Sequence, residues 1–172
     1  MEESEHIKEV YAHFGLAMYI AQCVEQSLIL LLVFHEFFPK NIKNRIHDDP
    51  DLWAKEYDKY DDIVSSKTMG RLLGAVRKLE ILTESQTEEL KTALKKRNWL
   101  AHSYFSQRSV HFVSSDGRNK MIAELEECRE FLGNIDNSLM EMLSSLNEKY
   151  EITDEMLYKI KKEMLSEVQS RF

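Results

Sequence analysis

Chemistry-bearing residues concentrate in one stretch, residues 91–105, KTALKKRNWLAHSYF. Arg97 and His102 stand five positions apart, Asn98 follows the arginine directly, and Lys91, Lys95 and Lys96 lie just upstream. Leu90, Leu94, Ala101 and Tyr104 recur at helical spacing, and Arg97 falls on the same stripe. A charge on an inward stripe needs a partner, because burying it alone is costly. On an ideal helix, residues five apart are separated by about 140° of rotation and a rise of about 7.5 Å, so their Cα atoms lie roughly 8–9 Å apart. A long arginine and an imidazole at that spacing can converge on one small anion beside the helix, such as a phosphate. Arginine offers a planar donor fork for it. Histidine is the residue type that exchanges protons near neutral pH. Asn98 and His102, four apart, share a face.

These residues need a scaffold, and the composition points to a helical one. The chain has 172 residues, enough for one domain with a sizeable core. It holds only five Gly and two Pro, which favours long helices over turn-rich β structure. Cys23 and Cys128 are far apart and form no CxxC pair, so neither a zinc knuckle nor a secreted disulfide framework is expected. A reducing cytoplasm is the expected location. Residues 1–22 lack a signal-peptide layout, and the most apolar run, Leu28 to Phe34, is far shorter than the roughly 20 residues of a membrane span. No membrane association is expected.

The formal net charge is −7, yet residues 91–120 hold seven Lys/Arg against one acid, Asp116. Residues 1–90 hold ten against seventeen, and residues 121–172 six against twelve. A basic island around Arg97 and His102 suits a phosphate site. A solvated helix face carrying Lys91, Lys95 and Lys96 outward is the plainer alternative.

Taken in order, the first helix is expected from about Ser4, its cap, to Phe38, where Pro39 ends it. Ile7, Tyr11, Phe14, Met18, Ala21, Leu28 and Leu32 form its seam, with Glu25 as the one inward acid. Glu25 either meets Arg97 or another basic group, or sits at a groove edge on a rotated helix that uses Val24 and Leu31 instead. Residues 39–67 read as a connection holding a short helix near Leu52–Ile63, with Trp53, Tyr57 and Tyr60 on one face. Met69, Leu72, Leu73, Val76 and Leu79 mark another helix. Thr83 and Ser85 then start the helix of about 86–105 that carries Arg97 and His102. Val110, Phe112 and Asp116-Gly117 suggest a hairpin or ordered loop over 106–120, which holds Arg108 and His111 as candidate substrate contacts. Met121, Leu125, Cys128, Leu132, Ile135, Leu139, Met142 and Leu146 are the longest stripe. A last helix of about 153–171 turns Leu157, Ile160, Met164 and Val168 inward. The expected fold is all-α, an up-and-down bundle of four or five helices.

The string RNWLAH, on a late-middle helix of such a bundle, resembles the R-x4–6-H signature of the HEPN superfamily. The layout resembles that family over most of residues 5–148, and the continuation His102-Ser103-Tyr104 resembles the R-x4-H-x-Y form of toxins paired with nucleotidyltransferase antitoxins, in which the tyrosine can be modified. The long 39–67 insert and the C-terminal helix depart from those compact toxins. The resemblance implies a metal-independent endoribonuclease of toxin or defence type, built as a homodimer and held by a cognate antitoxin. In it Arg97 binds phosphate, His102 does acid/base work and Asn98 positions. Tyr104, Lys95, Lys96, Arg108 and His111 face RNA, and Glu25 supports Arg97. No cofactor or metal is expected, since HExxH, CxxC and Gly-rich phosphate loops are absent from the sequence. Trp99, Leu100 and Phe105 give the same helix more apolar surface than one inward stripe uses, which points to two such helices meeting across a two-fold axis. The alternatives are a catalytically silent dimerisation or adaptor module, and a nucleic-acid binder without chemistry.

Overall fold

The computed structural model describes residues 2–169, and these are helical almost throughout. Helix α1 (Glu3–Leu32) leads through a π-helical turn, Val33–Phe37, into α2 (Phe38–Lys43). A 3-10 turn follows at Ile46–Asp48. Next come α3 (Pro50–Ser65), α4 (Met69–Arg77), α5 (Glu84–His102), the short α6 (Tyr104–Gln107) and α7 (Ser109–Phe112), then α8 (Ser115–Lys149) and α9 (Asp154–Gln169). The all-α expectation holds. Two details of it do not: the first helix begins at Glu3 with no side-chain cap, so Ser4 lies inside it, and Pro39 does not end it.

The π turn explains how the chain passes Pro39. Proline has no N–H, and its ring clashes with the carbonyl four residues back. A wider turn upstream relieves that clash. The Phe38 N–H bonds to Val33 O, which leaves the Phe34 carbonyl facing a proline. The Tyr150 hydroxyl donates to Phe34 O at 3.2 Å and fills the gap, and Asn41 Nδ2 donates to Phe37 O at 2.8 Å. The continuous helix includes a stretch long and apolar enough to cross a membrane by composition, half of it buried in the core.

Helix α1 is rotated relative to the expected seam. Val10, Ala17, Ala21, Val24, Leu28 and Leu31 are fully buried, whereas Tyr11 is 53% exposed and Ile7, Phe14 and Met18 are half-buried. The stripe through Val24 and Leu31 therefore joins the second half of the expected seam, Ala21, Leu28 and Leu32, in the core. Its main partner is α8, whose Met121, Leu125, Cys128, Leu132, Ile135 and Leu139 are buried as their periodicity predicts.

The paired residues fix the directions. His6 meets Ser115, His13 meets Glu126, Ser27 meets Asp136 and Phe34 meets Tyr150, so the two long helices run parallel. Helix α5 runs against both, with Arg97 on Glu25 and Gln86 on Ser138. The bundle is thus up-and-down between α5 and its neighbours but not between α1 and α8.

Two expectations fail at the ends of α8. Residues 106–120 are not a hairpin. Ser114 caps α8, accepting from the Gly117 N–H at 3.1 Å, so Asp116-Gly117 opens a helix instead of turning a strand. A Cβ on Gly117 would lie 2.0 Å from the His111 carbonyl oxygen, so α7 rests on the first turn of α8 where only glycine fits. Arg118, 4% exposed, donates to Phe112 O at 3.0 Å and locks the same corner. At the other end, Glu151 takes a left-handed φ of 56° and Ile152 is the last residue packed against the core. Beyond it α9 leaves the bundle, so Leu157, Ile160 and Val168 are exposed, not inward. The Met164 side chain lies outside the described residues.

Candidate functional site

Helix α5 is fixed at its start by a capping box. The Gln86 N–H donates to Thr83 Oγ1 at 3.1 Å while the Thr83 N–H donates to Gln86 Oε1 at 2.9 Å. Leu90, Ala93 and Leu100 then hold it on the core. This places Arg97 opposite α1, where its Nε donates to Glu25 Oε1 at 2.7 Å. The side chains are 28% and 18% exposed. Both readings of Glu25 meet in this contact: the helix is rotated so that Glu25 stands at a groove edge, and from there it reaches Arg97. The Arg97 Nη1 lies 3.4 Å from Asn98 Oδ1, a long contact that leaves the terminal nitrogens largely free.

His102 is the last residue of α5 and is exposed, with no side-chain hydrogen bond among the described residues. The chain turns at Ser103, whose N–H bonds to Trp99 O. Tyr104 then goes inward, which corrects its expected role as a substrate contact. It is 1% exposed, its hydroxyl donates to Met121 O at 3.1 Å, and its ring stacks on Phe14 and meets Trp99 edge-on. Burial, with the Glu124 carboxylate nearby, pushes its phenol well above the usual tyrosine range.

Arg108 forms a two-pronged pair with Glu124, its Nε donating to Oε2 at 2.8 Å, and lies over the Trp99 ring. That hydrogen bonding raises its already high pKa. With His111, Lys120, Met121 and Glu124 it lines a cavity of about 290 Å³, to which Arg97 and His102 do not contribute. The structure therefore brings Arg97, Asn98 and Glu25 together at one place, sets exposed His102 at the end of the same helix, and gives Arg108 and His111 a separate pocket.

The basic island is largely neutralised in three dimensions. Lys91 pairs with Glu88, Arg97 with Glu25, Arg108 with Glu124, and Arg118 approaches Glu3 at 3.5 Å. Lys95, Lys96 and Lys120 have no carboxylate partner among the described residues, and Lys96 sits over the Phe131 ring. The sequence reasoning missed Glu124 and the Arg118 clamp. Neither carries a local signal, since each partner lies on a different element.

The apolar surplus of α5 also disappears inside the protomer. Leu100 is 2% exposed, while Trp99 and Phe105 are half-buried in a cluster with Tyr104, and Phe105 packs further against Tyr11, Phe14 and Phe112. The apolar surface of α5 therefore gives no argument for two such helices meeting across a dyad.

No family model matches this chain, and no curated protein or solved structure matches it.

Proposed function

We propose that this chain is a metal-independent endoribonuclease of HEPN type. The observation that carries the reading is Arg97, held through Nε by Glu25 and still 28% exposed, on the same helix as the exposed imidazole of His102. A guanidinium anchored on one edge is preorganised to bind a phosphate with the other. In the proposed reaction the RNA 2′-OH attacks the adjacent phosphorus. The 2′-oxygen gives up its proton as it bonds to phosphorus, the P–O5′ bond breaks, and the leaving 5′-oxygen gains a proton. His102 serves one of these two transfers, and water serves the other. Arg97 stabilises charge developing on phosphorus, and Asn98 positions the phosphate or the imidazole. Lys95 and Lys96 supply the remaining local positive field. A toxin or defence role, with an antitoxin partner, rests on the resemblance of RNWLAH and of the helical layout, and a cytoplasmic location rests on the cysteine usage.

A second reading has support of its own. Glu25 and Glu124 already occupy the two arginines nearest the site, as structural pairs would. This favours a silent adaptor bundle. Incubating the purified chain with total RNA in EDTA separates the two. Cleavage is expected, with 2′,3′-cyclic or 3′-phosphate ends, no cutting of 2′-deoxy substrates, and loss of activity in His102→Ala and Arg97→Ala variants that melt like the parent. Cutting that survives both substitutions, or that needs added divalent metal, overturns the ribonuclease mechanism. No cutting of any RNA leaves the adaptor reading standing.

A further inference from the structure

Helix α1 carries a buried apolar seam and, outside it, a second seam that is uncharged and apolar but for Gln26. The inner seam, Val10, Phe14, Ala17, Ala21, Val24, Leu28 and Leu31, faces the core. Two residues, about 200°, further round the helix runs a second 3-4 alternation: Ala12, Leu16, Tyr19, Cys23, Gln26 and Leu30. It faces outward, with Leu16 45%, Tyr19 61% and Leu30 38% exposed. Every exposed residue of α1 from Tyr11 to Leu30 is uncharged, in a chain that is 31% charged. A solvated helix face in such a chain would carry acids and lysines. Met140 of α8, itself 51% exposed, borders the groove along Tyr19, Cys23, Gln26 and Leu30, whose far wall carries Glu25, Lys67 and Asp136.

We propose that this outer seam of α1 is a self-association surface, on which a second copy of the chain lays its own α1 antiparallel. Three features select that occupant and that direction. The seam is palindromic about position 21. Antiparallel pairing sets Ala12 against Leu30 of the second copy, Leu16 against Gln26, and Tyr19 against Cys23. Each end then pairs a small side chain with a large one, and each contact occurs twice, as an isologous interface requires. The ends of the helix are complementary in charge. The first turns carry Glu2, Glu3, Glu5 and Glu9 against Lys8 alone, whereas α2 carries Lys40 and Lys43 and no acid. Antiparallel pairing brings acidic start to basic end and opposes the two helix dipoles favourably, while parallel pairing stacks like on like. The seam is also long enough. From Ala12 to Leu30 it spans about 27 Å, five turns of unbroken contact. The groove beside the seam is lined in part by Glu25, which holds Arg97, so the test reads association state and not cleavage.

The test uses the full chain. Sedimentation velocity is expected to show a dimer for the parent and a shift toward monomer for Leu16→Glu, with dimer affinity weakened at least about tenfold and the helical spectrum unchanged. Adding Gln26→Lys to Leu16→Glu is expected to restore the dimer, because in the antiparallel register each introduced glutamate faces a lysine of the other copy. In a parallel register glutamate would face glutamate and no rescue would occur. The native thiols provide a second readout. Cys128 is buried, and the two Cys23 residues would lie roughly 10–12 Å apart across the dyad. A short bismaleimide is expected to link them, and Cys23→Ser to abolish the link. A parent that sediments as monomer, or that binds lipid vesicles as a monomer, overturns the proposal. So does a dimer that is indifferent to Leu16→Glu, or one that yields no Cys23 cross-link.

Discussion

Glu25 and Arg97 should be energetically coupled, and a double-mutant cycle measures by how much. Their contact at 2.7 Å is good, but one of three guanidinium nitrogens makes it, and the side chains keep 18% and 28% of their exposure. Fully exposed pairs are worth about 0.2–1 kcal/mol, while breaking a buried pair costs about 3–5 kcal/mol. A partly buried contact of this kind should give a coupling of roughly 1–2 kcal/mol. At this chain length each kcal/mol moves the melting temperature by about 2–4 °C, so the coupling corresponds to roughly 2–8 °C. Urea unfolding followed by circular dichroism of the parent, Glu25→Ala, Arg97→Ala and the double variant yields the coupling directly. A value below about 0.3 kcal/mol, within the ordinary error of additivity, refutes the view that Glu25 anchors the arginine. The cycle also has a functional arm. Glu25→Gln keeps an oxygen for the Arg97 Nε–H but removes the charge, so cleavage should fall by about ten- to a hundredfold through looser aim, short of the complete loss expected for Arg97→Ala.

Tyr104→Phe should retain RNA cleavage and cost about 0.5–1.5 kcal/mol, because it removes only the bond to Met121 O; loss of cleavage without loss of stability would mean that the hydroxyl reaches substrate after all. Gly117→Ala should be among the most damaging single-methyl additions in the chain, about 3 kcal/mol or more by urea unfolding, since its Cβ would collide with backbone and not with a movable side chain. An alanine variant as stable as the parent would show that α7 does not rest on α8 as described.

The legible parts of this fold were those whose signal is local or strictly periodic. The α8 stripe was readable because one apolar row runs unbroken from Met121 to Leu139, and the start of α5 because Thr83 and Gln86 satisfy each other three residues apart. Helix α1 was ambiguous for a physical reason. It bears apolar residues on two faces, so periodicity alone did not decide which one meets α8. Asp116-Gly117 read as a turn because its composition fits one, while the deciding contacts, Ser114 on Gly117 and the His111 carbonyl against its Cα, depend on where α7 lies. The outward fate of α9 follows from its having no face on the bundle to cover, which its own amphipathic pattern does not reveal. At the candidate site the sequence supplied Arg97, Asn98, His102 and, as one of two readings, the Glu25 pairing. It placed Tyr104 on the inward stripe yet also among the substrate contacts, and it did not supply the bond to Met121 O or the capture of Arg108 by Glu124, both set by elements more than fifteen residues away.

The π turn at Val33–Phe37 has a consequence for how this chain can change in length. A helix that gains one residue without gaining a turn has slipped in phase by about 100°. Phe37 and Phe38 therefore point where straight α-helical continuation would not send them, and there they meet Trp53 and, respectively, Tyr57 and Tyr150. A one-residue deletion within 33–37 would restore an ordinary helix, turn those rings off their partners, leave the Tyr150 hydroxyl without its carbonyl and drive the ring of Pro39 back toward the preceding turn. A one-residue change in the stretch after Lys43 would leave this phase untouched. Insertions and deletions should accordingly be absorbed just past the end of this long helix and rejected within it.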